Sequence, residues 1–420
     1  MLDIAIVEGV RTPFAKAFGA LASVPADELG RVAAVEVMKR AGLRPEQVDQ
    51  VVFGNVAPPA DAANIARVIA LRAGIPQDRI AHSVQRNCAS GMEAITTAAQ
   101  LIQLGEAKTV LAGGTESMSR IPLLYNDEAT ALYLRLGRAK SWWQRLQTLL
   151  QFRPRHFKPV LAVQQGLTDP VSGLIMGATA EILAEEFSVT RQEQDAFALT
   201  SHKRATDAQK RGVLAEELTR VGEVREDIGP RKGQCLEVLA KLKPFFKDGG
   251  TVTVGNSCPL TDGAAAVVVM PGEAARAEGR QPLGYLRAYA YAGCDPRRMG
   301  LGPAYATSKL LERTGLSLSD MELIELNEAF AAQVVANERA FSSDEFARKE
   351  LGRAAALGQI DPEKLNVNGG AIALGHPVGA TGTRLVITLL KEMRRRGLRR
   401  GLATLCVGGG QGAALLMETG

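Results

Sequence analysis

Histidine is scarce in this chain of 420 residues. His82, His156, His202 and His376 lie far apart without metal-ligand spacing, so no metal site is expected. Cysteine is nearly as sparse. Cys88, Cys235, Cys258, Cys294 and Cys406 are an odd number, widely spread and without a C-x-x-C pair. That argues against a disulfide framework and for a reducing compartment, where a notable cysteine acts through its reactivity. Long apolar runs are missing too, which leaves no candidate for a transmembrane span. The opening MLDIAIVEGVRTPF lacks a basic leader and meets Glu8 after a short apolar stretch. It reads as a first strand, and a cytoplasmic location is expected. No basic block interleaves with aromatics and no finger or RNP pattern occurs, so nucleic acid is not an expected partner. Charge of one sign hardly dominates: the net +5 suits an anionic small ligand without requiring one.

What is present is 46% hydrophobic residues, enough for more than one core. Strand-like and helix-like segments alternate, as in an α/β protein. Residues 26–41 carry an apolar stripe at helical spacing, with Gly42 where the helix should end. VDQVVFGNV from Val48 and KTVLAGG from Lys108 read as buried strands. A weak repeat is visible: residues 44–60 share the texture of 317–333, and 106–117 that of 399–412. It suggests two similar halves, with 341–361 inserted in the second. Any two buried strands followed by glycines look alike, so the repeat alone decides nothing.

Between the halves lies 121–250, richer in charge and less regular. Within it, 132–158 places Trp142, Trp143, Leu146, Leu149, Leu150 and Phe152 near helical spacing among several arginines and lysines. The pattern predicts an amphipathic helix resting on a membrane surface or in a partner's groove. The plain alternative is a helix packed on its own protein with a solvated basic face.

Three segments join reactive groups to glycine-rich turns. In QRNCASGMEA (85–94), Cys88 precedes a helical pattern, where free N–H groups and the helix dipole favour a thiolate. In GGAIALGHPVGATGTR (369–384), His376 stands before small residues that open another helix. In ATLCVGGGQGAA (403–414), Cys406 ends a buried strand and meets Gly408, Gly409 and Gly410, whose backbone N–H groups can approach a ligand. Singly, each has a bland reading: a buried free cysteine, or a histidine satisfied in a turn. Together they place two thiols and an imidazole on element ends, where α/β sheets build active sites.

These segments resemble the signatures of the thiolase family: NCASGM around Cys88, NEAF at 327–330, GHPVGATG at 375–382 and CVGGGQG at 406–412. TVTVGNSCPLTDGAAA (251–266) adds a fifth block, and the likeness covers essentially the whole chain. It implies an α/β fold of two similar halves packed as five layers, αβαβα, plus a loop domain. The N-terminal half would be 1–120 with 251–272, the loop domain covering CoA 121–250, and the C-terminal half 273–420. It also implies an acyltransferase: thiolytic cleavage of 3-ketoacyl-CoA, with CoA as co-substrate and no permanently bound cofactor. By the same resemblance Cys88 is the nucleophile, His376 its base, and Asn327 the holder of a water beside His376 in a first oxyanion site. Cys406 is the acid/base at the acetyl-CoA carbon, and the N–H groups of Cys88 and Gly408 form a second oxyanion site.

Departures narrow the reading. IMGATAE (175–181) has Ile175 where short-chain biosynthetic relatives carry His, beside Met176 on the substrate side. Cys258 stands where many relatives contact pantetheine with Ser or Thr, which makes that hydrogen bond weak. Arg231 falls near the position that stacks on adenine. The basic Trp segment, the insertion and NSCPLTDGAAA resemble the beta subunit of the fatty-acid oxidation trifunctional complex. This implies degradation of medium or long chains, a homodimer or higher oligomer, and a hydratase/dehydrogenase alpha subunit as partner. Rival readings are a biosynthetic acetoacetyl-CoA thiolase and a non-catalytic acyl-CoA-binding scaffold, which would need no Cys88, His376 and Cys406 trio.

Overall fold

The computed structural model describes residues 3–420. Its strands are β1 (Ile4–Arg11), β2 (Ala15–Lys16), β3 (Gln50–Gly54), β4 (Ile80–Val84), β5 (Val110–Ser117) and β6 (Leu123–Leu124). They continue as β7 (Val160–Leu161), β8 (Thr261–Pro271), β9 (Gly284–Gly293), β10 (Leu323–Leu326), β11 (Arg400–Val407) and β12 (Gln411–Glu418). The main sheet runs β10-β11-β12-β9-β1-β8-β5-β3-β4, with β2 beside β8.

The repeat becomes physical in this order. From β4, the pairings to β3, β5, β8 and β1 are parallel, parallel, antiparallel and antiparallel. From Leu365, bridged in parallel to Ile324 of β10, the pairings through β11, β12 and β9 follow the same series. The strands matched by texture, β3 with β10 and β5 with β11, hold equivalent places. The halves join where Ile4, Ala5 and Ile6 of β1 pair with Leu286, Tyr285 and Gly284 of β9.

Central strands read as continuous apolar runs because helices cover both faces. Helices Ala26–Arg40 and Ile65–Arg72 cover one outer face, burying Leu29, Val37, Ile65 and Ile69. Helices Gly302–Thr314 and Ala331–Ser342 cover the other, burying Leu310, Val334 and Phe341. Between the two halves of the sheet lie Ser90–Gln103 and Val378–Arg396, with Met92, Ile95, Leu385 and Leu389 in the central core. The result is αβαβα. The 341–361 segment adds the helix Asp344–Glu350 and packs Phe346, Leu357 and Ile360 into the outer C-terminal core.

The stretch 132–158 is not one helix. Helix Asp127–Arg138 stops where Ala139 turns extended (ψ 118°). A new helix, Trp142–Leu149, starts at Ser141, whose hydroxyl caps the Gln144 N–H while the Gln144 side chain returns to the Ser141 N–H. The local capping box wins over a continuous amphipathic pattern. The short β6/β7 ladder closes the base of this lobe. Among the described residues no helix is long and apolar enough to cross a membrane.

A buried ion cluster ties β1 to the distant 211–228 segment. Arg11 donates from Nε to Glu217 (2.7 Å) and from Nη1 and Nη2 to Asp227 (2.6 and 2.7 Å). Both acids hold the guanidinium charged against the cost of burial, and its pKa rises. Arg11→Ala leaves two buried carboxylates uncompensated, and a loss of about 3–5 kcal/mol is expected in urea unfolding. An unchanged midpoint would contradict that role.

Candidate active site

Cys88 lies between β4 and the helix Ser90–Gln103 on a tight turn. The turn requires Asn87 at φ 43°, in the left-handed region where Asn is among the tolerated residues. Ser90 holds it from inside: its Oγ accepts from Arg86 N (2.9 Å) and donates to Asn87 O (2.7 Å). The Asn87 amide donates across to Gly408 O at 2.7 Å. The backbone N–H groups of Gly408 and of Cys88 itself lie by the Cys88 sulfur and favour its thiolate.

The helix position predicts a lowered thiol pKa, and the structure corrects this. Burial pushes the Cys88 thiol up, those two N–H groups pull it down, and nearby Glu116 adds to the upward push. Cys88 precedes the N-cap residue Ala89, outside the helix proper, so dipole help is outweighed. A thiol held protonated needs a base.

His376 comes to the same end of the fold because two helices cross on glycine. A Cβ on Gly91 would sit 2.6 Å from Thr383 N, and one on Gly382 would sit 2.5 Å from Met92 N. Only bare backbones approach so closely, and the crossing draws together the first turns of Ser90–Gln103 and Val378–Arg396. Cys88 and His376 each lie just ahead of these turns. His376 N donates to Thr261 Oγ1 (3.0 Å), and its Nδ1 lies 2.7 Å from Thr381 Oγ1. The Thr381 hydroxyl donates to Pro377 O (3.0 Å), so we place the imidazole proton on Nδ1. Nε2 is buried without a protein partner and presents a lone pair.

Burial, reinforced by the Arg384 cation, lowers the His376 pKa to about 3. The ring is neutral at physiological pH, as a base must be. Because the folded pKa lies below the unfolded value, His376 costs stability as pH falls from about 6.5 towards 3. In an NMR titration its ring protons are expected to stay at the neutral position down to about pH 4. A midpoint near 6.5 would contradict the buried setting.

The other segments converge on this point. Cys406, at the end of β11, is buried with Met176, Cys258, Ala329, Phe330 and Met299. Burial first, then the neighbouring Cys88 and Cys258 thiols, push its pKa well above the ordinary range. It is therefore a protonated thiol. Cys258 is pushed up to about 12 by burial and by Cys88, and its N–H donates to Ala329 O (3.0 Å). Asn327 is anchored by its N–H to Thr404 O (3.0 Å), while both side-chain amide atoms are buried without a protein partner. Such groups are rare in interiors and mark a place where a ligand's polar atoms belong. The Met176 sulfur lies over Gly408, 3.2 Å from where a Cβ would be. Ile175 precedes it as the N-cap of the helix Met176–Glu186.

Arg231 stands apart from this cluster. It is exposed, on a loop whose N–H meets His202 Nδ1 (3.3 Å) and whose Gly229 packs on Ala373 O, just ahead of His376.

Sequence reasoning missed the supports. Glu116, fully buried at the end of β5, accepts from Val56 N, Ala57 N, Asn55 Nδ2 and Gly379 N, each at 3.0 Å. It staples the first half to the start of the His376 helix, and burial raises it to about 7 against those donors. Glu328 accepts from Ser201 Oγ (2.6 Å), Asn366 Nδ2 (2.9 Å) and Ile372 N (3.2 Å), holding the Asn327 turn in place. An acid inside GGTES and another inside NEAF were visible signals, because charge in an apolar setting needs partners.

A thiol on a strained turn, a neutral imidazole and a second protonated thiol, with the N–H groups of Gly408 and Cys88 beside the first sulfur, define a site suited to cysteine-based acyl transfer. The model of the thiolase N-terminal domain matches residues 4–273, and that of the C-terminal domain matches 280–419. The chain belongs to the thiolase family, and it is an acyltransferase. A 3-ketoacyl-CoA thiolase of Photorhabdus laumondii is 44% identical over 99% of this chain and 96% of its own length. Among solved structures, the Bacillus anthracis acetyl-CoA acetyltransferase superposes with a TM-score of 0.87 at 40% identity, covering 100% of this chain and 99% of that one. Human mitochondrial 3-ketoacyl-CoA thiolase in complex with CoA superposes at 0.85 with 37% identity, covering 99% and 98%.

Proposed function

We propose that the chain cleaves 3-ketoacyl-CoA with CoA, releasing acetyl-CoA and an acyl-CoA two carbons shorter, in fatty-acid β-oxidation. His376 Nε2 takes the Cys88 proton and the thiolate attacks C3. The C2–C3 bond breaks as Cys406 gives its proton to C2, and acetyl-CoA leaves. The Cys406 thiolate then takes the proton of incoming CoA, whose sulfur attacks the acyl-Cys88 carbonyl. Cys88 departs as thiolate and regains its proton from His376. Asn327 and His376 serve the first thioester oxygen; the N–H groups of Cys88 and Gly408 serve the acyl-enzyme oxygen. Met176 and Cys258 line the pantetheine, Arg231 lies towards the nucleotide, and 121–250 covers CoA. The observation that carries this reading is the 2.7 Å hydrogen bond from the Asn87 amide to Gly408 O, which seats the glycine loop against the Cys88 turn, with two further acid/base groups converging on the same end of the fold.

Full-length likeness to proteins named 3-ketoacyl-CoA thiolase supports the degradative direction. The likeness to an acetyl-CoA acetyltransferase keeps acetoacetyl-CoA synthesis as the second reading. Thiolysis rates from acetoacetyl-CoA to long-chain 3-ketoacyl-CoA separate them: kcat/KM is expected to rise with chain length. A preference for acetoacetyl-CoA would favour synthesis.

The 123–161 lobe exposes Leu123, Trp142, Trp143, Leu150 and Phe157, and the two indoles stack at 4.0 Å between centroids. Among the described residues only Arg155 of its arginines pairs with a carboxylate, Glu128. We assign this face to anionic membrane or to a hydratase/dehydrogenase alpha subunit, where rings and cations each find their medium. Trp142→Ser with Trp143→Ser is expected to lower sedimentation with anionic vesicles or with that subunit several-fold while sparing thiolysis of acetoacetyl-CoA. Equal sedimentation of variant and parent in both assays would remove the assignment. We assign a homo-oligomer contact to the sheet edge at β4, which is half-exposed and carries Ile80 towards solvent.

A further inference from the structure

The triple glycine 408–410 carries no side chain with which to fix itself, and Gly409 and Gly410 sit at φ 87° and 80°. Such a backbone is the most mobile a chain can offer, yet the N–H of Gly408 has to face one sulfur. Two hydrogen bonds hold it. At the far end Cys294 N–H donates to Gly410 O (2.7 Å), and at the near end the Asn87 amide donates to Gly408 O (2.7 Å). Arg86 adds a looser tie to Gln411 Oε1 (3.3 Å). The Asn87 bond differs from the others in kind, because its donor is the residue next to Cys88. Whatever moves the nucleophile's turn moves the 408–409 peptide with it, and through the Gly408 Cα the adjoining peptide that carries the Gly408 N–H.

We infer that Asn87 is a positioning residue that locks the Gly408 N–H onto the Cys88 sulfur and onto the acyl oxygen that follows. Two requirements meet in this one side chain. The turn needs a residue able to hold φ 43°, and the loop needs a neutral donor one short side chain away. Asn supplies both, whereas Asp would turn an acceptor and a charge towards the Gly408 carbonyl. Asn87 neither touches the reacting atoms nor exchanges a proton; it acts through Gly408. The inference rests on the assignment of Cys88 and Gly408 above.

Asn87→Gly separates the two requirements, since glycine keeps the left-handed turn without strain and deletes only the amide. It is expected to lower kcat about 10- to 100-fold with KM for 3-ketoacyl-CoA within about threefold, less than deleting an oxyanion donor outright. The pH profile of Cys88 alkylation by iodoacetamide should shift to higher pH, because a wandering Gly408 N–H no longer stabilises the thiolate. Thermal unfolding should stay where it is in the parent enzyme. Asn87→Asp, which keeps the shape, should show a loss at least as large. An Asn87→Gly enzyme with parental kcat and parental alkylation profile would overturn the inference and leave Asn87 as a turn residue only. So would a loss of activity with the alkylation profile unmoved. Failure of the underlying assignment would look different: Cys88→Ala would then retain thiolysis whatever stands at position 87.

Discussion

Cys88→Ala is expected to lower kcat/KM for thiolysis by about 10⁴- to 10⁶-fold, measured as CoA-dependent loss of the 3-keto chromophore. A catalyst that works through a covalent acyl-enzyme has no second route once its nucleophile is gone, and binding alone recovers little. The fold should survive. Cys88 is half-buried, alanine is smaller, and the turn is held by Asn87, Ser90 and Arg86, which the change leaves in place. Unfolding within about 1 kcal/mol of the parent is therefore expected, which separates lost chemistry from lost structure. Serine at the same place should do little better. Its hydroxyl is far less acidic than a thiol, and the burial that already lifts Cys88 would lift it further. An alanine variant retaining a tenth of parental activity would exclude Cys88 as nucleophile.

Cys406→Ala should abolish solvent exchange of the acetyl-CoA α-protons and cut thiolysis by about 10²- to 10⁴-fold, the range for losing a positioned general acid or base. The reason lies in how the two thiols are held. Cys88 has N–H donors from two peptides beside it, which favour its thiolate, whereas Cys406 sits among Met176, Ala329 and Phe330. One sulfur can ionise to attack; the other keeps a proton to give. Acylation of Cys88 by substrate should survive in part, since its proton goes to His376. Combining Cys406→Ala with His376→Ala should cost less than the product of the single losses, because the groups act as a unit. Undiminished proton exchange in Cys406→Ala would place the acid/base elsewhere.

The chemistry was legible in the sequence because each reactive group sits on a contiguous stretch whose glycines and helix start are local. The five layers followed from the family resemblance of the motif blocks; the common texture of β3 with β10 and of β5 with β11 hinted only at two similar halves. What escaped was everything set by contacts between distant segments. Glu116 meets Gly379, and Arg11 meets Glu217 and Asp227, only through the tertiary arrangement. The sign of the Cys88 shift escaped for the same reason, since burial is a property of the assembled site and outweighed a locally visible helix start. The break at Ala139 was a different failure. Ser141 and Gln144 form a capping box inside the apolar stripe, and that local helix start outweighs the continuity of the stripe.

The central claim is a covalent acyl group on Cys88, and peptide mass spectrometry after incubation with 3-ketoacyl-CoA, without free CoA, tests it most directly. The account predicts a shortened acyl group on the peptide carrying Cys88, formed as acetyl-CoA appears and discharged when CoA is added. An adduct on Cys406 or Cys258 that CoA discharges, or turnover with no adduct on Cys88 under any quench, would contradict it.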